Sequence, residues 1–420
     1  MKFTKKTLKN GLRLITVPMK DNPAVMVLVL VNTGTEFEIK KINGISHFLE
    51  HMCFKGTINR PSAKIISMEL DGLGAENNAF TDREMTGYYA KGDARHFSRL
   101  LDIIADIYLN STFPEAELER EKGVIKGEID MYNDLPQNIA YRKMLALLYG
   151  DTAGGWSTLG EKETIAEFNR ETFLNYRQAH YFANKTVVVV TGGIDEKKVL
   201  KEVKEKFSRL ARGKISKKGK FEKKQKKPAM LFVSKKTDQT HIAIAVRSAS
   251  MTDPKDPITS VLAAALGQGM SSRLFLKLRE EMGAGYYVKA FNNTLSDRGF
   301  LIVQAGVHNN MTAPVIRAIL EEMRRFKEEF ISPEELKKTK EFLIGHFKLD
   351  LETSDQVAEF FGGQEILNKP IDRPQDIVAK VNKVTALDIK KMANKIFTNQ
   401  NLNLTMVGPN KPKIDQILKF

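Results

Sequence analysis

Two stretches far apart in the chain are built alike, and a chain that repeats a structural unit has few ways to fold. Residues 180–193 read HYFANKTVVVVTGG and residues 395–409 read KIFTNQNLNLTMVGP. Each runs from a helix end through an Asn-containing turn into an apolar strand and then glycine. Each also follows a segment of helical period, NRETFLNYRQ in one and TALDIKKMANK in the other. An internal duplication is the economical explanation. It suits the length, because 420 residues exceed what one core normally serves, while each half has about 210.

The seam between the halves is GKISKKGKFEKKQKK, residues 213–227, which ends at Pro228 where the strand-like AMLFVSK begins. Such a run marks a linker. The expected division is an N-terminal domain over 1–212, a lysine-rich linker over 213–228 and a C-terminal domain over 229–420. In the first half LRLITVP and AVMVLVLVNTG read as strands, NGISHFLEHMCFKG and AKIISMELDGLG as helices, and after MTGYYAKG the chain turns helical to about residue 147. Grouped strands and grouped helices predict an α+β fold with two domains, each a mainly antiparallel sheet with helices packed on one face.

Composition narrows the class. With 42% hydrophobic and 28% charged residues the chain is an ordinary globular protein. No stretch approaches 18 consecutive apolar residues, so no transmembrane helix is expected. The basic start MKFTKKTLKNGLRLITV lacks the apolar core and cleavage site of a signal peptide. A single cysteine, Cys53, makes an intrachain disulfide impossible and suits a reducing compartment, so the expected location is cytoplasmic. The formal net charge of +15 invites nucleic acid or an anionic membrane as partner, yet eight lysines and one glutamate in residues 213–227 supply +7 of it and leave +8 elsewhere. That run has one aromatic, Phe221, and no base-reading motif, so it reads as a solvated linker. Neither nucleic acid nor membrane is expected as a partner.

The chemistry sits in GISHFLEHMCFKGT, residues 44–57. Asn43 can cap a helix that Gly56 ends. His47 and His51, four apart, then share one face, a spacing that lets two imidazole nitrogens reach one Zn²⁺ at roughly 2.0–2.1 Å. Glu50 beside them can take a proton from a water on the metal. Two histidines at this spacing also suit an ordinary helix face hydrogen-bonded to its neighbours, and a third ligand is needed to separate the two readings. Cys53 reads as a buried, inert thiol.

HFLEHMCFKGT fits the inverted H-x-x-E-H signature of inverzincins, and with EKGVIKGEI (residues 121–129) it resembles the pitrilysin-type zinc peptidases of family M16, in particular the bacterial two-domain relatives of mitochondrial processing peptidase. The resemblance implies that Glu128, 77 positions after His51, is the third ligand. It implies for Glu121, two helical turns earlier on nearly the same face, a hydrogen bond to the free ring nitrogen of a ligand histidine. GLGAENNAFTDREMTGYYA is similar to the family's G-x-x-x-N-A-x-T segment, which implies substrate contacts at Asn78 and Ala79 through an edge strand. LGQGMSSRLFLKLREEMGAGYYVKA resembles the segment that carries a paired arginine and tyrosine, places taken here by Arg279 and Tyr286. Both are implied to hold the substrate carbonyl as negative charge develops on it. GAGY stands where the family commonly has GLAY, a change of apolar filler.

For these implied residues the structural alternatives stay open: Glu121 as a solvated carboxylate, Asn78 and Ala79 as ordinary strand packing, Arg279 as a surface charge pair and Tyr286 as a packed aromatic. The other histidines, His96, His180, His241, His308 and His346, have no ligand spacing and read as structural.

The activity implied is that of a zinc-dependent endopeptidase cutting oligopeptides in a clamshell chamber, with one Zn²⁺ per chain. Four such domains make the family's chamber, so a homodimer of a two-domain chain would complete it, with a heterodimer as the alternative. The rival reading is a catalytically silent peptide-binding or scaffold subunit of the same family, whose signature, a lost ligand or base, does not occur in these motifs. Two nitrogens and one oxygen favour zinc over cobalt or manganese without excluding them.

Overall fold

The computed structural model describes residues 1–214, 218–219, 221, 225–413 and 418–419. Strands β1 (Thr4–Thr7), β2 (Arg13–Pro18) and β3 (Ala24–Val31) lead to helices α1 (Ile45–Cys53) and α2 (Ala63–Gly72). The hairpin β4 (Glu76–Thr81) and β5 (Thr86–Asp93) leads to α3 (Phe97–Asn110), α4 (Glu115–Asp134), α5 (Pro136–Tyr149), α6 (Lys162–Glu167) and α7 (Arg170–His180), then β6 (Thr186–Gly192) and α8 (Glu196–Phe207). The second half retraces this order. Strands β7 (Ala229–Ser234) and β8 (Gln239–Ser248) lead to α9 (Asp256–Gly267) and α10 (Arg273–Phe275). The pair β9 (Gly285–Thr294) and β10 (Gly299–His308) leads to α11 (Thr312–Glu328), α12 (Pro333–Leu349), α13 (Ser354–Ile366), α14 (Pro374–Asn382) and α15 (Ala386–Ile396), and β11 (Asn403–Gly408) follows.

The look-alike segments are α7–β6 and α15–β11, at equivalent places. The sheets agree as well: their orders are β1-β2-β6-β3-β5-β4 and β7-β11-β8-β10-β9, which match strand for strand apart from β1. In each, one pair is parallel, β2 with β6 and β7 with β11, and the other pairs are antiparallel. The fold is α+β in two domains.

Compact packing groups Met1–Asp130, Trp156–Lys220 and Leu349–Arg373 in one unit, and Met131–Gly155, Phe221–Lys348 and Pro374–Phe420 in the other. The expected division at 213–228 followed the chain; the packing departs from it chiefly at two equivalent helices, α5 and α13. In the first unit β3 is buried from Val25 to Val31 without alternation, the pattern of a strand covered on both faces. One face takes α13, whose Val357, Ala358, Phe361 and Ile366 pack on Ile15, Val17, Met26, Leu28, Leu30, Val187 and Val189. Gly362 lets that helix come close, since a Cβ there would lie 2.7 Å from Leu30 and 2.9 Å from Val189. In the second unit Ile139, Ala140, Met144, Leu145 and Leu148 of α5 cover Ala243, Ala245, Phe300, Ile302 and Val407, while α9, α11 and α15 pack on Ile242, Ile244, Leu301 and Val303 of the opposite face. Helices of the same half thus cover one face of each sheet, as expected, and a single helix from the other half closes the second.

Part of the linker, residues 215–217, 220 and 222–224, lies outside the described residues. Within it Lys218 pairs with Glu84 at 2.5 Å, and Phe221 meets Tyr149 edge-on at 5.0 Å, so these two side chains are docked rather than solvated. Among the described residues no helix is long and apolar enough to cross a membrane.

Candidate metal centre

Helix α1 is fixed by a carboxylate and a glycine instead of by Asn43, the expected cap. The capping position is Gly44, at φ +98°. Asn43 turns its side-chain amide to Glu38 and to the Ser157 carbonyl, each at 2.9 Å. The unpaired N–H groups of the first turn go to Glu38, whose two oxygens accept from Gly44 N and Ser46 N at 2.8 Å. A buried carboxylate is well placed there, where helix N–H groups converge. At Gly44 a Cβ would lie 2.7 Å from the Leu159 carbonyl as well as at positive φ. Ile45, Phe48, Leu49 and Met52 fall at i, i+3, i+4 and i+7 and are buried completely. That stripe anchors the helix and turns His47, Glu50 and His51 towards α4 and β4.

Helix α4 buries Leu118, Ile125 and Ile129 and carries Glu121 and Glu128, seven residues apart. Glu128 Oε2 lies 3.6 Å from His47 Nε2 and 3.8 Å from His51 Nε2, and a donor atom from each of the three residues lies within 4.8 Å of the others. These gaps are too long for good hydrogen bonds. They approach the about 3.4 Å that separates two donors sharing one tetrahedral ion at about 2.0–2.1 Å, so the donor set fits a divalent metal. His51 and Glu128 keep 24% and 23% of their side-chain surface exposed. Three ligands with an open side are the pattern of catalytic sites, whereas structural sites are closed by four.

Around the cluster other groups set orientation and protonation. Glu121 bridges two cations' positions: Oε1 accepts from His51 Nδ1 at 2.9 Å and Oε2 lies 2.7 Å from Lys55 Nζ. A proton held on Nδ1 leaves the Nε2 lone pair free for a metal. Burial works to raise the Glu121 pKa, but the bonds from His51 and Lys55 outweigh it and the carboxyl sits below its usual range. Burial drives His47 down to about 3, assisted by His51, so its ring is neutral. At His51 burial pulls the other way from Glu121, Glu50 and Glu128, which prevail and raise its pKa. Glu50 is raised by burial, partly offset by the Thr81 hydroxyl, which donates to it at 2.6 Å. A raised carboxylate accepts a proton more readily, the direction general-base chemistry requires.

The structure therefore brings together His47, Glu50, His51, Glu121 and Glu128. Asn78 and Ala79 lie on β4, the edge strand of the first sheet, with Asn78 exposed. Arg279 and Tyr286 belong to the other unit. Arg279 lies in the π-helical turn Leu276–Glu281 with its guanidinium 5.3 Å from the Phe275 ring centre. Tyr286, at the start of β9, is 52% exposed and its hydroxyl lies 3.3 Å from His308 Nδ1. Ala284 of GAGY is fully buried in that unit's core. Cys53 is buried, donates to the Tyr88 hydroxyl at 3.5 Å and has its thiol pKa pushed up by burial. Sequence reasoning missed Glu38, Lys55 and Thr81. Only Thr81 carried a signal, the last letter of the N-A-x-T pattern.

Comparison with known proteins agrees with this geometry. A family model described as Insulinase (Peptidase family M16) matches residues 14–162, and one described as Peptidase M16 inactive domain matches residues 167–343. An uncharacterized zinc protease of Bacillus subtilis is 33% identical over 96% of this chain and 97% of its own length, and one of Rickettsia bellii is 31% identical over 97% and 98%. The crystal structure of a protease from Helicobacter pylori shares the fold with a TM-score of 0.91 at 23% identity, covering 97% of this chain and 99% of that one. An M16 inactive-domain structure from Pseudomonas fluorescens shares it at 0.90 and 17% identity, covering 98% and 100%. Motif, site geometry and full-length kinship converge on one assignment: the chain belongs to peptidase family M16.

Proposed function

We propose that the protein is a zinc-dependent endopeptidase acting on oligopeptides. The observation that carries this reading is the convergence of His47, His51 and Glu128 around one point with the Glu50 carboxylate beside them. Relatives that span the chain are named zinc proteases, which supports zinc as the metal. Bound by His47, His51 and Glu128, zinc would supply Lewis acidity, making water a better nucleophile and polarising the scissile carbonyl. Glu50 would take the proton of the attacking water and pass it to the leaving amine, with Thr81 fixing the carboxylate's orientation. Glu121 and Lys55 would hold the His51 ring in place.

Asn78 and Ala79 would bind an extended peptide by strand addition to β4. Thr81 lies on the same strand, so the element that holds substrate also holds the base. Arg279 and Tyr286 would donate to the carbonyl oxygen as charge builds. A homodimer, bringing four α+β domains around the peptide, is the assembly this reading favours, in a reducing cytoplasm; a heterodimer with a related chain is the alternative.

The test is mass-spectrometric cleavage of an oligopeptide mixture by zinc-loaded, chelator-stripped and zinc-restored protein. Cutting is expected in the first and third samples alone. No cutting by the zinc-loaded and zinc-restored samples, at full zinc content, would instead favour the silent peptide-binding or scaffold subunit.

A further inference from the structure

A cavity of about 330 Å³ opens beside the edge strand β4, on the face of the first sheet opposite the metal cluster, and no role described so far uses it. Its walls are Leu30, Phe80, Met85 and Tyr89 below and Glu359 and Gly363 of α13 above, with Asn78 and Ala79 at the edge. Thr81 reaches Glu50, so the alternate positions of β4 point to the metal face. Asn78 and Phe80, paired with Tyr89 and Gly87, therefore point to the α13 face.

A peptide added to the free edge of β4 continues that alternation. Every second side chain would turn to the α13 face, and the one level with Asn78 and Phe80 would meet the cavity. The chemistry of the walls names that side chain. Four are apolar or aromatic, and the charged group is one carboxylate. Glu359 stands at the rim, partly open to solvent and partly covered, and has no ion pair among the described residues. Its neighbour one turn away, Asp355, is neutralised by Lys91 at 2.8 Å, and Lys91 also lies 3.7 Å from Glu76. Burial, then Asp355, push the Glu359 carboxyl above its usual value, as expected for a negative group without a cation.

The two glycines of α13 divide the work. Gly362 is pressed against Leu30 and Val189, whereas a Cβ on Gly363 would have nothing within 4 Å. The second glycine is not needed for packing and leaves the cavity open.

We propose that this cavity is a substrate subsite that selects one arginine or lysine of the peptide, its aliphatic stem on Leu30, Phe80, Met85 and Tyr89 and its charge at Glu359. An arginine can in addition lay its guanidinium on the Tyr89 ring. On a chain of net charge +15 a cationic peptide is otherwise repelled, so such a preference would have to be local. The proposal rests on the peptidase reading and on strand addition at β4.

The experiment compares full-length, zinc-loaded wild type with Glu359→Gln, Glu359→Lys and Gly363→Leu. Each is given an oligopeptide mixture for cleavage profiling, and its binding to fluorescent nonapeptides that differ only in one Arg, Ala or Glu is measured by anisotropy. Wild type is expected to enrich Arg and Lys about tenfold at one position and to bind the Arg peptide about tenfold tighter than the Ala peptide. Glu359→Gln should erase both preferences, Glu359→Lys should turn them towards Glu, and Gly363→Leu should admit Ala there but not Arg. Profiles and affinities that are the same in all four proteins would overturn the subsite. Absence of cutting with the Arg preference intact in binding would overturn the peptidase reading and leave the subsite standing.

Discussion

At the scale of single residues the site combines groups of two kinds. The convergence of these residues was legible because helix geometry ties His47, Glu50 and His51 to one another, and a family pattern reached Glu128. What spacing could not convey is how these groups are oriented. Thr81 is 31 residues from Glu50 in sequence and meets it only because β4 lies against α1. Lys55 carries no motif that marks it, yet it shares Glu121 with His51. Thr81→Val should lower kcat about 10- to 100-fold while KM stays within about threefold, and Thr81→Ser should restore most of it, as for a group that orients the base without holding substrate. Steady-state kinetics on a cleaved peptide decide this; a loss confined to KM would contradict it.

At the scale of elements, the helix that presents His47, Glu50 and His51 depends on a contact its own sequence hides. Helical period predicts α1, but capping rules are local and point to the adjacent Asn43. Glu38, six residues before Gly44, reaches the helix end through the turn between them. Burial pushes its pKa up to about 7, only partly opposed by the donors of Ser46, Gly44 and Asn43. A carboxyl raised on folding gives stability that is complete below its unfolded pKa and lost as pH climbs through the folded value. The sign is therefore a decline between about pH 4.5 and 7. Glu38→Gln removes that titration. Urea unfolding from pH 5 to 8 should show the wild type losing on the order of 2–3 kcal/mol relative to the variant. Parallel curves would mean that the N–H groups of α1 hold Glu38 ionised throughout.

At the scale of the whole molecule, the repeat was legible from α7–β6 and α15–β11, and the sheets carry it through strand by strand. The exchange of α5 and α13 was not, because an amphipathic pattern says that a helix face is buried without saying which sheet buries it. It has a direct consequence. Residues 1–212 alone lack α13 and would bare Met26, Leu28, Leu30, Val187 and Val189, and residues 229–420 alone lack α5 and would bare Ile302 and Val407. Neither piece should fold as a soluble monomer; each should bind ANS or aggregate when expressed alone. A monomeric 1–212 that unfolds cooperatively would contradict this.

The central claim is that a metal held by His47, His51 and Glu128 works with Glu50 as base. It is tested most directly by measuring zinc content and peptide cleavage together for wild type and Glu50→Gln. The prediction is one zinc per chain in both proteins, with cleavage by the variant reduced about 10²- to 10⁴-fold. A variant that keeps its zinc and cuts at the wild-type rate would contradict the account.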